Sequence, residues 1–195
     1  MNRSIARASA TLVLLAASVL ALTACVPLLI GSAVVGTAAV ATDRRSTGAQ
    51  LDDEVIEDKS VFAINERFKG EFHVNVTSFN GIVLLTGEVP AEAAKTDIGE
   101  MLRTTPKVRA VQNELLVGPV TSFKARSDDT LITSKVKARF VEAGKFQINY
   151  VKVVTERGIV YLMGMVKRDE GDAAAEIART TEGVQRVVKV FEYIN

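Results

Sequence analysis

Val74-Asn-Val-Thr-Ser-Phe-Asn-Gly-Ile-Val-Leu-Leu-Thr-Gly-Glu-Val89 and Val151-Lys-Val-Val-Thr-Glu-Arg-Gly-Ile-Val-Tyr-Leu-Met-Gly-Met-Val166 are two versions of one stretch. Eight of the sixteen positions are identical, running from Val74/Val151 through Gly81-Ile82-Val83/Gly158-Ile159-Val160 to Val89/Val166. Outward from this pair the correspondence continues at nearly the same spacing. Asp52-Asp53 returns as Asp128-Asp129, Arg103-Thr104-Thr105 as Arg179-Thr180-Thr181, and Val108/Val111 as Val184/Val187. A fixed-period self-similarity of this kind is a duplication, and each copy must form the same unit.

The unit reads alike in both copies. Val74/Val76 and Val83/Leu85 alternate around Asn80-Gly81, a strong short-range hairpin signal, and Arg157-Gly158 stands at the same turn. Gly81 and Gly158 supply the positive φ that such a turn needs. The acidic pairs Asp52-Asp53 and Asp128-Asp129 are expected to cap the helix ahead of each hairpin, where a carboxylate suits the helix dipole. Helix-compatible stretches follow at Ala91–Leu102 and Asp169–Arg179, then last strands at Val108–Val117 and Val184–Ile194. The order is α-β-β-α-β, twice: an α+β fold, with a small three-stranded mixed sheet covered by two helices in each module.

The N-terminus carries an address. Arg3 and Arg7 precede the apolar stretch Thr11–Leu22, which ends in Leu22-Thr23-Ala24-Cys25. The shape is that of a secretory signal peptide, and a Cys after small residues resembles the bacterial lipobox. That resemblance implies cleavage after residue 24 and a lipidated Cys25 at the new terminus, which also accounts for a lone cysteine in an oxidising compartment. In that class an Asp directly after the Cys commonly retains the protein at the inner membrane; Val26 stands there instead, favouring the outer one. Residues 26–42 are rich in Gly, Ala and Val without periodicity, and read either as a small-residue tether or as a segment partly in the bilayer.

With these residues quoted, the V-x-V…G-x-V-x-L-x-G-x-V core and the later G-V-x-x-V resemble the BON module of bacterial osmotically inducible and nodulation proteins. The first copy departs at Lys107, where the pattern has Gly. Lipobox, tether and two modules together resemble the dual-BON outer-membrane lipoproteins. The expected organisation is a signal peptide over 1–24, an acylated terminus and tether over 25–50, modules over 51–118 and 127–195, and a linker over 119–126. The resemblance implies a lipid-anchored protein on the periplasmic face of the outer membrane that attaches to envelope phospholipid and supports membrane integrity.

Composition narrows the chemistry. Among 195 residues there is one His, one Cys and no Trp, so four Cys/His zinc ligands or an intrachain disulfide cannot be assembled. His73 would have to serve any Ser-His-Asp triad, yet no nucleophile-base pattern surrounds it. Asp169-Glu170-Gly171-Asp172 lacks EF-hand spacing and reads as a helix start. No glycine-rich phosphate loop appears, and the basic residues lack the interleaved aromatics of a nucleic-acid groove. An enzyme, a cofactor, a small-molecule substrate and a nucleic-acid partner are therefore not expected.

Charge divides the two copies. Residues 52–118 hold 7 Lys/Arg against 12 Asp/Glu, whereas residues 119–195 hold 13 against 10. Only the second half is suited to an anionic surface. On a helical wheel its first helix sets Ile132, Val136, Phe140 and Ala143 toward the sheet. Leu131, Ser134, Ala138 and Val141 lie opposite, flanked by Lys135, Lys137 and Lys145. An apolar strip edged by lysine fits an interfacial helix face, though it also fits a solvated face with incidental apolar residues. The family resemblance implies the former and makes these residues the expected phospholipid site. Leu131 stands where the resembling lipoproteins carry an aromatic residue. The first copy's acidic helix reads as a scaffold or a partner surface. Ile82 and Leu84, with Ile159, Tyr161, Met163 and Met165, make the second face of each hairpin apolar as well. A sheet covered on one side should be polar on the other, so these faces are expected to meet each other, or else to bind an envelope protein. A protein adaptor regulating an envelope enzyme or assembly machine is the alternative to lipid attachment.

Overall fold

The computed structural model describes residues 43–69 and 72–195; the expectations placed on Cys25 and residues 26–42 lie outside them. The first module runs α1 (Thr47–Arg67), β1 (His73–Phe79), β2 (Ile82–Val89), α2 (Glu92–Arg103), then β3 (Ala110–Asn113) and β4 (Leu116–Val117). The second repeats the order as α3 (Phe123–Ala143), a short 3-10 turn at Ile148–Tyr150, β5 (Lys152–Glu156), β6 (Ile159–Val166), α4 (Arg168–Arg179) and β7 (Arg186–Tyr193).

In each module the hairpin pairs antiparallel, and the last strand joins the hairpin's second strand in parallel. The first module's last strand is split into β3 and β4 without a change of register, since Leu85 faces Asn113 and Glu88 faces Leu116. Asn113 sits at the break: its amide donates to Lys95 O at 2.8 Å, and its side-chain oxygen accepts from Leu115 N at 3.3 Å. Asn80, Gly81, Arg157 and Gly158 all have φ between 51° and 74°, the two-residue hairpin turn whose twist matches the strands. Lys107 is left-handed at φ 74°, where the second module uses Gly183. The turn keeps its shape despite the side chain, at a cost of about 1–2 kcal/mol.

The helices begin earlier than the acidic pairs suggest. Ser46 caps α1, accepting from Ala49 N at 3.1 Å, and Ser122 caps α3, accepting from Ala125 N at 3.3 Å. A serine hydroxyl satisfies a free first-turn N–H, so the helices extend five residues ahead of Asp52 and Asp128 and take in parts of the expected tether and linker. Asp53 and Asp129 are therefore mid-helix, on the buried face. Each carboxylate accepts from both turn amides of its own hairpin, Asn80 N and Gly81 N in one case and Arg157 N and Gly158 N in the other, at 2.7–2.8 Å. The repeated aspartate is a bracket between helix and hairpin.

Each module has its own core. Ile56, Ile64, Val83, Leu85, Ile98 and Leu102 fill the first, while Val136, Phe140, Val160, Leu162, Ala174 and Ala178 fill the second. Ala143, placed on the sheet side by the helical wheel, is exposed as the last residue of α3, where Gly144 stops the helix in the left-handed conformation. A third buried cluster joins the modules: Phe79 and Leu84 of the first meet Tyr161 and Met163 of the second, with Ile82, Ile159 and Met165 packed at its margin. Apolar residues on both sheet faces follow directly, since one face receives helices and the other receives the partner sheet.

A strap formed by residues 43–45 crosses this seam. Arg45 bonds Asp53 at 2.8 Å and lies over the Phe79 ring. Arg44 pairs with Glu170 at 2.6 Å, donates to Met165 O at 2.9 Å and lies over the Tyr150 ring at 3.7 Å. Adjacent arginines thus hold one module each. Asn80 and Arg109 with Glu192, Lys152 with Glu57, and Asn75 with Glu156 add polar links around the apolar cluster.

Candidate functional site

The long helices α1 and α3 both lie on the outside of the module pair, each with one face on its own sheet. Asp53 and Asp129 fix the rotation of each helix, because only one helical angle lets that carboxylate reach its turn. On α3 this rotation buries Val136 and Phe140 and turns Leu131, Ser134, Ala138 and Val141 outward, with Leu131 60% and Val141 64% exposed. The strip extends further than the sequence indicated. Phe123, in the first turn, stands four and eight residues before Ser127 and Leu131 on the same side and is 81% exposed. From Phe123 to Val141 the strip spans roughly 27 Å at 1.5 Å per residue. Phe123 went unnoticed because the helix was expected to start at Asp128; the serine cap Ser122, 76 residues after Ser46, was the available signal.

The cations around the strip are not equivalent. Lys135 pairs with Glu182 at 2.8 Å, and Lys124 with Asp128 at 2.9 Å. Lys137 and Lys145 are exposed and make no ion pair among the described residues. Arg139 turns inward and donates to Ile177 O and the Thr181 hydroxyl, tying α3 to α4. Beyond the strip's C-terminal end a cavity of about 540 Å³ opens beside Val141, Lys145, Phe146 and Tyr150, with Arg44 of the strap in its wall. The charge difference between the helices is marked: α3 carries five Lys/Arg against three Asp/Glu, and α1 two against six.

His73 lies at a small cavity between the modules, with Asn75, Arg126 and Glu156. Burial, and then the nearby Arg126, hold its imidazole below the usual histidine range; burial also pushes the Glu156 carboxyl above its own. No serine or threonine hydroxyl bonds His73 among the described residues, where no group of three or more His, Cys, Asp or Glu is arranged to hold a metal. No described helix is long and apolar enough to cross a membrane.

The chain is a duplicated α+β module docked sheet against sheet, with exposed apolar and charged residues along its outer helices. The chain belongs to the BON domain family, which matches residues 52–119 and 128–195. It is similar to the outer membrane lipoprotein DolP of Haemophilus influenzae, at 39% identity over 94% of this chain and 96% of that protein. It is also similar to the 21 kDa hemolysin of Actinobacillus pleuropneumoniae, at 34% identity over 78% of this chain and 79% of that one. The osmotically-inducible protein Y of Escherichia coli matches at 28% identity over 76% of each.

Proposed function

We propose that this protein is a non-enzymatic lipoprotein of the outer membrane, anchored through Cys25 on the periplasmic face, whose helix α3 lies on anionic phospholipid. The outer-membrane assignment rests on likeness to a named outer membrane lipoprotein over nearly the full length of both chains. The observation that carries lipid attachment is the outward strip of α3, with Phe123, Leu131 and Val141 exposed beside Lys137 and Lys145, which make no ion pair among the described residues. A helix of this kind seats its apolar side in the boundary between headgroups and acyl chains, and each nearby lysine contributes about 1 kcal/mol at an anionic leaflet. Phe123 offers an aromatic contact at one end of the strip, offsetting the aliphatic Leu131 nearer its middle. An anchored chain needs little further affinity, since tethering raises the local concentration of the second contact. Together, anchor and helix bring the folded body against the leaflet and so support its integrity.

Vesicle binding by a chain starting at Asp43 tests the reading. Leu131→Glu and Lys137→Glu each weaken binding to anionic vesicles about tenfold or more, and salt weakens parental binding steeply because exposed charges are screened. Lys135→Glu has a smaller effect, since its partner Glu182 already competes for it. All three melt like the parent, lying off the Val136–Phe140 face. Retained binding by folded Leu131→Glu and Lys137→Glu would move the lipid contact away from α3. Separately, Cys25→Ser leaves an unprocessed precursor in cells, detected by mass; normal cleavage of that variant would remove the anchor from this account.

A further inference from the structure

The outer face of α1 is the counterpart of the lipid-facing strip on α3, and it carries the opposite charge. Leu51, Val55 and Phe62 lie on one side of α1 within roughly 40° of each other at 100° per residue. They are 57%, 48% and 66% exposed. Three large apolar side chains left in water along one line exceed the scattered exposure usual for a surface. Glu54, Asp58 and Glu66 edge the line, with Lys59 at one side. None of these three carboxylates makes an ion pair among the described residues, whereas Asp53 and Glu57 on the inner side are committed to the hairpin turn and to Ser78 and Lys152.

The duplication makes the contrast informative. Val55 and Leu131 occupy equivalent positions, as do Phe62 and Ala138, 76 residues apart. The second copy surrounds its apolar line with lysine; the first surrounds it with carboxylates, which an anionic leaflet would repel. One architecture thus presents two apolar lines whose charge suits two different classes of partner.

We propose that the outer face of α1 docks a protein surface in which apolar side chains are bordered by Lys or Arg. Val55 and Phe62 enter that surface, and Glu54, Asp58 and Glu66 pair with its cations. The chain then holds phospholipid with one module and a basic protein partner with the other. Charge complementarity selects the partner and rejects the membrane, because like charges set opposite each other cost several kcal/mol.

The test uses the full chain in its own membrane, with a photo-crosslinking amino acid at Leu51, Val55 or Phe62, and at Leu131 for comparison. The three α1 positions are expected to give one shared protein adduct absent at Leu131, and mass spectrometry is expected to locate the crosslink in a segment with Lys or Arg beside apolar residues. Glu54→Lys with Asp58→Lys is expected to reduce the adduct about tenfold or more while melting stays parental. The proposal is overturned by no adduct at any α1 position in chains that melt like the parent. It is equally overturned by adducts to lipid or to a second copy of this chain, by a crosslinked segment without cations, or by an adduct indifferent to the double charge reversal. The α3 contact is read separately at Leu131, and of these outcomes only a lipid adduct on α1 also bears on it.

Discussion

Asp53→Ala is expected to lower the stability of the folded body by about 2–5 kcal/mol, since each buried donor left unsatisfied costs roughly 1–3 kcal/mol. The carboxylate accepts from Asn80 N, Gly81 N, the Ser78 hydroxyl and Arg45, all within 2.6–2.8 Å. Deleting it strands two turn amides and the buried Ser78 hydroxyl, while Arg45 keeps its pair with Asp43. At about 2–4 °C per kcal/mol for a body of this size, the melting temperature should fall by roughly 10 °C, measured by thermal denaturation. Asp129→Ala is the milder comparison, because Asp129 holds only the Arg157 and Gly158 amides by hydrogen bonds. Acid gives a second readout for Asp53. Burial pulls the Asp53 carboxyl upward, but its four donors outweigh burial and hold it below the ordinary carboxylate range. Its contribution is therefore present above the unfolded carboxylate pKa of about 4 and is lost as pH falls through the lower folded value. In Asp53→Ala that portion of acid destabilisation should be missing.

Met163→Asp should cost several kcal/mol through a different cause. Met163 is fully buried in the cluster that joins the sheets, and an aspartate there would be a buried charge without a partner. The expected result is a large loss of melting temperature, while Met163→Leu, of similar volume, stays within about 1.5 kcal/mol of the parent. Parental melting of Met163→Asp would mean that the sheet faces are open in solution. The neighbouring Tyr161 provides a second reading of the same seam. Burial pushes its phenol up to about 12, so the stability from burying it neutral is full below the unfolded value near 10 and declines as pH rises toward 12. Alkaline titration followed at the phenolate absorbance should show Tyr161 ionising late, checked by its loss in Tyr161→Phe.

Much of this fold is written in local signals. The hairpins are legible because Gly81 and Gly158 sit at identical points between alternating valines, and their doubled apolar faces point to an arrangement in which both sides are covered. The orientation of α3 is also legible, since Val136 and Phe140 define its inner side. Other features depend on partners distant in sequence. An aspartate in mid-helix looks like a capping residue until the turn 27–28 residues away is seen to need its oxygens. Arg44 looks like the polar end of a tether, because its partners Met165 and Glu170 lie 121 and 126 residues further on. Phe123 looked like linker, and with it went the first third of the apolar strip. The acidity of helix α1 is legible in the sequence, but the exposure of Leu51, Val55 and Phe62 follows from a helix rotation that only the Asp53 bracket fixes.

On the proposed reading α3, and not α1, lies on anionic phospholipid. Paramagnetic broadening of backbone amides by spin-labelled lipid in phosphatidylglycerol micelles reads this residue by residue on the chain from Asp43 to Asn195. The account predicts strongest broadening along α3, peaking at Phe123, Leu131, Ala138 and Val141, with α1 unaffected and with the effect much reduced in zwitterionic micelles. Broadening centred on α1 or on the hairpin turns, or no broadening along α3 in anionic micelles, would contradict it.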